Sequence, residues 1–481
     1  MKVKDLIAIN SDVEVSYLSE DSNDIKANTM FFCIKGVKFD AHQVVEEVIK
    51  KGAIVIVHTD ELPVYHSNII YYKVADMLAT LALVSAKYYG NPSHHLNLIG
   101  ITGTNGKTTV AWLLKELFNK LSTGGYIGTI DIEYNNQVFI NYFTTPKAIE
   151  LNYHLREMVN QNVKYCALEV SSHALSLKRS YGLLFKYAIM TNLTFEHINF
   201  HGSMEEYHDA KKILFENVND DTWVILNKDD RTYEDYRKHS KGKVLSYGIN
   251  NDADIMAKDI VLEKHQTSFT LKIFEHEYHI TTNLVALFNV YNFLCVLSVL
   301  YLEGYDLDEI KYLFTSLEYP KGRMESIDEK QNFDVIVDYA HTPDGLEKVC
   351  QYAKAISKGE IIALFGSAGG DRDREKRPVI GQIASQYCDK IILTTDDPRT
   401  EKVSDINAMI KQGISIDNVI EIEDREEAIR YALKEAPPHS MVLILGKGDD
   451  RYNAAASGYL EYEGDIGITR RLLKELYDGN K

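Results

Sequence analysis

The stretch Leu98–Val110, LIGITGTNGKTTV, passes from an apolar run through glycines to Gly106-Lys107-Thr108-Thr109 and on into a helical pattern ending at Leu121. A buried strand, a glycine turn and a helix in that order open a βα unit, which constrains the surrounding chain to a sheet of mostly parallel strands. The turn exposes backbone N–H groups at the positive end of the helix dipole, where a polyphosphate can sit. Lys107 then reaches the terminal phosphates, and the hydroxyl of Thr108 or Thr109 binds Mg²⁺. The spacing departs from the eight-residue P-loop, because Ile101 stands where that pattern has its first glycine, and the glycines are Gly100, Gly103 and Gly106.

The βα alternation extends well beyond this turn. Strands are expected at Ala53–Val57, Tyr165–Val170 and Tyr187–Leu193, and helices at Ala75–Tyr89 and Val110–Leu121. Breakers at "YYGNPSHH" and at "LEYPKGRME" divide the chain, and beyond the second lie further strands at Val335–Asp338, Ile361–Phe365, Ile391–Thr394 and Met441–Leu445. With 481 residues, too many for one core, the reading is α/β with three domains. Residues 1–97 form a small N-terminal α/β domain, 98–318 a central P-loop ATPase-like, mostly parallel sheet, and 319–481 a C-terminal Rossmann-like domain.

A formal charge of −17 and the lack of a long basic run argue against nucleic-acid binding. The N-terminal segment lacks the apolar core of a signal peptide, and no uncharged apolar run is long enough to span a bilayer, so a cytoplasmic protein without membrane insertion is expected. Cys33, Cys166, Cys295, Cys350 and Cys388 are scattered, with no metal or disulfide spacing, and are read as core residues.

Two segments suggest what the phosphate is for. In "YCALEVSSHAL" a strand ends on Glu169, and a carboxylate there faces the crevice where α/β sheets bind ligands, which makes it a candidate Mg²⁺ ligand. In "MTNLTFEHINFHGSMEEYHDAKKILF" a strand leads into Glu196, His197 and His201, then into a helix carrying Lys211 and Lys212. His197 beside a phosphate loop and a second acidic strand end is read as a site residue.

Taken in order, "GITGTNGKTT", "TTP" at 144–146, "EVSSHAL", "NLTFEHINFHGSMEEYHDAK", "GRME" at 322–325, "DYAHTPD" at 338–344, "GGDRDREKRP" at 369–378 and "DDPR" at 396–399 strongly resemble the Mur ligases over nearly the whole chain. Within that family the likeness is to the MurE type, which adds the third residue to UDP-N-acetylmuramoyl-L-alanyl-D-glutamate. The resemblance implies an ATP site from Gly103, Thr104, Asn105, Gly106, Lys107, Thr108 and Thr109, with Asn289 and Asn292 on the adenine side. From the third domain, Arg323 is implied at the phosphate chain, Asp338 at the ribose and His341 in the phosphate region; these meet the loop only if the two domains close. Thr108, Glu169 and His197 are implied at the metal, and Lys211 matches the lysine that the family converts to a carbamate (N6-carboxylysine), turning a cation into an anion suited to holding Mg²⁺. Lys107, Lys211, His197 and Glu169 are thus the implied catalytic set.

For the UDP-sugar dipeptide the resemblance implies Ser22, Thr144, Thr145, Ser171 and Arg179. For the incoming amino acid it implies Arg372, Asp396, Asp397, Pro398, Arg399, Gly446 and Asp450. Departures from the family pattern are Asn23 for arginine, Ala286 for glycine, Asp397 for asparagine, and Asp449-Asp450 for His-Glu. An acceptor-only carboxylate at 397 is expected to weaken the grip on a substrate carboxylate.

Two arginines in one pocket favour a second carboxylate and repel the ammonium of lysine. The expected substrate is therefore meso-diaminopimelate, ahead of meso-lanthionine and L-lysine, used by a monomer. Three other readings are open, one of them a phosphotransferase that stops at the phosphorylated product. A folylpolyglutamate-synthetase-like ligase shares the loop and the carbamate lysine but lacks the extra N-terminal domain, and a nucleotide-binding paralogue without activity is prompted by the four departures.

Overall fold

The computed structural model describes residues 1–36, 39–370 and 372–477; Asp371 of the "GGDRDREKRP" segment lies outside them. Its first sheet is wholly parallel, with β1 (Tyr17–Ser19), β2 (Thr29–Phe32), β3 (Ala53–His58) and β4 (Ile70–Lys73) in sequential order. The helix α1 (Met77–Tyr88) packs on it, capped by the Asp76 carboxylate, which accepts from Ala79 N–H.

The central sheet is built around β5 (Asn97–Thr102), which feeds α2 (Lys107–Leu121). Its parallel part also contains β6 (Gly124–Ile127), β7 (Tyr165–Glu169), β8 (Tyr187–Met190), β9 (Trp223–Asn227), β10 (Lys243–Gly248) and β11 (Ile255–Leu262), in the spatial order β11-β10-β9-β8-β5-β7-β6. The order reverses at β5, between β7 and β8, and ligands of open α/β sheets bind at the carboxyl end of such a switch point. Antiparallel hairpins extend both edges: Ile132–Tyr134 with Gln137–Phe139 beyond β6, and Thr267–Ile273 with His276–Thr282 beyond β11. Two helices complete this part: α3 (Met204–Glu216), behind a Ser203 cap, and the apolar α4 (Leu287–Leu302), buried along most of its length.

The third sheet has β12 (Asp334–Asp338), β13 (Ile361–Phe365), β14 (Lys390–Leu393), β15 (Val419–Glu421) and β16 (Met441–Leu445), mutually parallel in the order β12-β16-β13-β14-β15, with the short strand Glu325–Ser326 antiparallel to β12 at the edge. The helices α5 (Pro343–Ile356) and α6 (Lys376–Tyr387) pack together on one face, and beyond β16 comes a hairpin of β17 (Tyr452–Ala455) and β18 (Gly458–Glu461). Apolar strands buried on both faces read as continuous runs, which is why β5, β13 and β16 stood out in the sequence.

Several element boundaries differ from expectation, three of them next to site residues. The helix after the glycine turn, α2, starts at Lys107 instead of Val110, because Gly106 at φ +88° turns the chain directly into it. β8 stops at Met190, freeing Thr191 and Asn192 to bind the phosphate loop, and β14 stops at Leu393. The five cysteines are buried and free, with Cys350 and Cys388 Sγ 3.8 Å apart, a proximity their spacing gave no sign of. Among the described residues no helix is long and apolar enough to cross a membrane.

Candidate active site

The glycine loop is fixed by its neighbours before any ligand is considered. Asn105 N–H donates to Asn192 Oδ1 (3.0 Å), while Thr191 Oγ1 (2.7 Å) and Asn192 Nδ2 (3.0 Å) donate to the Asn105 carbonyl. Thr104 Oγ1 lies 3.0 Å from the Tyr207 hydroxyl of α3. Gly103, at φ +144°, passes so close to Thr191 that a Cβ would collide with its hydroxyl, and a Cβ on Gly106 would strike the Asn292 amide. Those two glycines are therefore required by close approach as well as by backbone conformation. Lys107 Nζ folds back on its own loop, donating to the carbonyls of Gly103 (2.9 Å) and Thr104 (2.8 Å), and burial lowers its pKa.

Glu169, at the end of β7, is fully buried and holds a dense set of donors. Its carboxylate accepts from the hydroxyls of Thr108 (3.0 Å), Tyr126 (2.6 Å) and Thr129 (3.1 Å) and from Thr129 N–H (2.9 Å). Tyr126 and Thr129 were not singled out from the sequence, although they lie at the carboxyl end of β6, the neighbouring parallel strand. His197 sits at φ +59°, a strained conformation of the kind concentrated at functional sites, and burial drives its pKa down to about 3, so the imidazole is neutral and free to act as a ligand. Lys211 is 1% exposed with no carboxylate within ion-pair distance among the described residues. Its Nζ donates to the Gly103 carbonyl (2.8 Å), and burial, with Lys107 nearby, lowers its pKa far below the usual lysine value. Lys212, one position on, pairs instead with Asp209 and Asp235.

The third domain is closed onto this cradle. Arg323 Nη2 lies 3.5 Å from Thr108 Oγ1, its guanidinium stacked over Tyr339. His341 Nε2 donates to Glu196 Oε1 (2.9 Å), and Asn105 Nδ2 donates to Asp344 Oδ2 (2.7 Å). Glu196 and Asp344 thus form the closure, and neither was assigned this role from sequence. Asp338 is committed to its own turn, accepting from Met324 N–H and Ala340 N–H, both at 2.7 Å, while lining the cavity. On the adenine side, Asn289 Nδ2 donates to Val285 O (2.9 Å) and Asn292 Nδ2 to Asn289 Oδ1 (3.0 Å). Ala286 stands at φ +74°, ψ 146°, which is glycine's territory, and this explains physically why a glycine is expected there.

One cavity of about 790 Å³ joins the loop to the third domain, lined by Lys107, Thr108, Glu169, His197, Arg323 and Asp338 on one side and Arg372, Asp396, Asp397, Arg399, Gly446 and Asp450 on the other. Among the described residues, the Arg372 and Arg399 guanidiniums have no carboxylate partner. Asp450 is half-buried, and its desolvation, aided by Asp396 and Asp397 against Lys447, raises its pKa to about 6. The expected weakening at Asp397 takes another form, because this carboxylate is already engaged. It accepts from Lys447 Nζ (2.9 Å) and from Ala454 N–H of β17 (3.0 Å), so its charge is compensated by a fully buried lysine. Pro398 turns the chain there, its carbonyl accepting from Glu401 N–H (2.9 Å).

The residues expected to hold the UDP-sugar dipeptide fall into two groups. Thr144 lines the cavity; next to it Thr145 Oγ1 donates to the Glu169 carbonyl (2.7 Å), Arg179 Nη1 to the Thr145 carbonyl (2.8 Å), and Ser171 Oγ caps a short helix. Ser22 lies apart in the loop after β1, its carbonyl accepting from Lys51 Nζ (3.0 Å). Glu20 connects that loop to the central domain, lying 3.6 Å from Lys147.

Comparison with known proteins agrees with this geometry. Residues 101–300 match the Mur ligase middle domain and residues 322–448 the Mur ligase glutamate ligase domain. The chain belongs to the Mur ligase family of ATP-dependent ligases. Its relatives include the UDP-N-acetylmuramoyl-L-alanyl-D-glutamate--2,6-diaminopimelate ligase 1 of Clostridium acetobutylicum, 37% identical over 479 residues, 98% of each chain. The corresponding ligase of Bacillus cereus is 38% identical over 446 residues, 91% of this chain and 90% of the relative. A solved structure of a UDP-N-acetylmuramoyl-L-alanyl-D-glutamate--2,6-diaminopimelate ligase superposes with a TM-score of 0.71 at 27% identity, covering 99% of both chains. Folylpolyglutamate synthase of Mycobacterium tuberculosis shares the fold at a TM-score of 0.63 and 16% identity, but over 83% of this chain.

Proposed function

We propose that the protein joins an amino group of meso-diaminopimelate to the side-chain carboxylate of D-glutamate in UDP-N-acetylmuramoyl-L-alanyl-D-glutamate, converting ATP to ADP and phosphate, as a cytoplasmic monomer. The observation that carries this is one cavity holding a phosphate loop at one end and, at the other, Arg372 and Arg399, which have no carboxylate partner among the described residues. The activity for which the relatives matched over nearly their whole length are named supports the same reading.

A carboxylate is a poor acylating agent because oxide would have to leave. The glutamyl oxygen therefore attacks the γ-phosphorus, ADP departs, and an acyl phosphate forms. The substrate amine, having lost its ammonium proton, attacks the acyl carbon, and phosphate leaves as the amide forms. The chain contributes alignment and charge compensation throughout. Lys107, Arg323 and the N–H groups of residues 103–109 hold the phosphate chain, and Asn289, Asn292 and Asp338 the nucleoside. Thr144, Thr145, Ser171, Arg179 and Ser22 hold the UDP-sugar dipeptide. Arg372 and Arg399 grip the distal carboxylate, and Asp450 takes the ammonium beside it. Closure through Glu196–His341 and Asn105–Asp344 keeps water from the acyl phosphate.

Thr108 and Glu169 offer the hydroxyl and carboxylate oxygens that suit Mg²⁺, and the neutral imidazole of His197, a softer donor, would stand beside them. The bound ion would neutralise phosphate charge. The buried Lys211 amine, its pKa lowered far below the usual lysine value by burial, adds to CO₂ in its unprotonated form with loss of one proton, and the resulting carbamate supplies a further anion beside the loop. The test is incubation of the protein with ATP, Mg²⁺, the UDP-dipeptide and a panel of diamino acids, followed by mass spectrometry. The tripeptide product with diaminopimelate is expected; ATP consumption without a new amide, or a preference for lysine, would overturn the assignment.

A further inference from the structure

Arg377, at the start of α6, is the largest fully buried side chain among the described residues, with a side-chain exposure of 0%. Nothing in the reaction described above uses it. Its guanidinium forms a two-armed fork with Glu401, Nη1 donating to Oε2 (3.0 Å) and Nη2 to Oε1 (2.9 Å). Nη2 also donates to the Ala368 carbonyl (3.1 Å), and the Glu401 carboxylate also accepts from Gly370 N–H. Ala368 and Gly370 belong to the loop that carries Arg372, and Glu401 lies two residues past Arg399. Glu401 therefore fastens together the two loops that present the pocket's arginines, and its buried partner in doing so is Arg377.

The exposed Arg374 adds a second ion pair to Glu401 (3.3 Å), and the loops also meet through backbone and the Arg399 stem. Gly369 N–H donates to the Asp397 carbonyl (2.8 Å), and Gly370 packs so closely on the Arg399 stem that an added Cβ would sit 3.0 Å from its Cδ. Arg399 itself is held at φ +52°. A buried ion pair adds little net stability over apolar residues of similar volume, but a planar fork fixes distance and angle, which apolar packing does not. The pair's consequence should therefore appear in geometry more than in stability.

Building on the proposed function, we infer that Arg377 and Glu401 are positioning residues for substrate selection: their fork sets the spacing of Arg372 and Arg399 and so determines preference for an amino acid with a second carboxylate. They do not touch the substrate. Loosening the fork should weaken the hold on diaminopimelate while leaving the distant nucleotide loop unaffected.

The test compares wild type with Arg377→Lys, which keeps the charge and loses the fork, and with the double variant Arg377→Met/Glu401→Leu, which removes both charges together and so leaves no buried ion unpaired. Steady-state KM is measured for diaminopimelate, L-lysine, ATP and the UDP-dipeptide, with thermal melting alongside. The expected result is a rise of about tenfold or more in KM for diaminopimelate, an equal narrowing of its advantage over lysine, and KM values for ATP and the UDP-dipeptide within about twofold of wild type. The double variant should show this at a melting temperature close to wild type. An unchanged diaminopimelate KM in the folded double variant overturns the inference, and so does a uniform rise in all KM values tracking a fall in melting temperature. Failure of wild type itself to discriminate diaminopimelate from lysine would instead sink the reading of the pocket.

Discussion

The phosphate cradle and the amino-acid pocket share one cavity but are built differently. The cradle is a continuous strand–turn–helix whose loop is held by the ends of adjacent parallel strands, β7 and β8, and by α3. The pocket draws on residues 368–377, 396–401 and 446–455, which are fastened by ion pairs between positions far apart in sequence. Asp397 meets Lys447, Arg377 meets Glu401, and Arg425 pairs with Asp465 (2.7 Å) while donating to the carbonyls of Thr395 (3.0 Å) and Leu445 (2.9 Å). Phosphate recognition can thus be a property of one segment, whereas side-chain selection depends on several loops staying in register.

The contrast can be broken most severely at Lys107. Changing it to Ala should lower turnover by at least about 10²–10³-fold, the usual cost of losing a preorganised electrostatic donor, with the fold intact by circular dichroism because a buried lysine with a depressed pKa adds little stability. Retained turnover would take the phosphate assignment with it. Arg399→Ala should act on the other half alone, raising KM for diaminopimelate by about 10–100-fold, the worth of a lost charge-assisted hydrogen bond pair, while KM for ATP stays put.

The next effect depends on pH. Asp450 titrates at about 6, so its ammonium-binding anion is present above that pH and lost below it. KM for the amino acid should rise about tenfold per pH unit on the acid side of 6, and Asp450→Asn should flatten that limb; a KM unchanged down to pH 5 would contradict the role. Because this pKa is raised in the fold, the native state binds the proton more tightly than the unfolded chain, so Asp450 favours folding at low pH and that contribution fades as pH rises through 6. The smallest change concerns Ala286. Its backbone conformation costs a non-glycine residue about 1–3 kcal/mol, partly offset by the greater entropy glycine loses on folding. Ala286→Gly should therefore stabilise the protein by about 1 kcal/mol, seen as a higher denaturant midpoint; a lower midpoint would show that the alanine methyl contributes more by packing than its backbone costs.

Much of the central site was legible in the sequence because its cues are local. Gly103, Gly106, Lys107 and Thr108 carry their meaning in their spacing, and Glu169 in its place at a strand end. The closure contacts were not legible: Glu196 and His341 are 145 positions apart, and nothing near either names the other. Asp397 shows the same limit from the opposite direction. Read alone it is an acidic residue replacing an amide, and only the fold reveals Lys447 and the β17 amide that absorb its charge.

By itself, then, the sequence determined the βα alternation, the phosphate turn, the buried strands and the family, since strand periodicity, glycine placement and helix initiation are set by residues a few positions apart. Tertiary structure alone decided how the pocket's loops are fastened to one another, how far apart its arginines stand, which carboxylates are already engaged, and through which contacts the third domain closes over the cradle. Those outcomes rest on desolvated charge pairs and close backbone approaches between remote segments, and their energies exist only once packing has excluded water from between them.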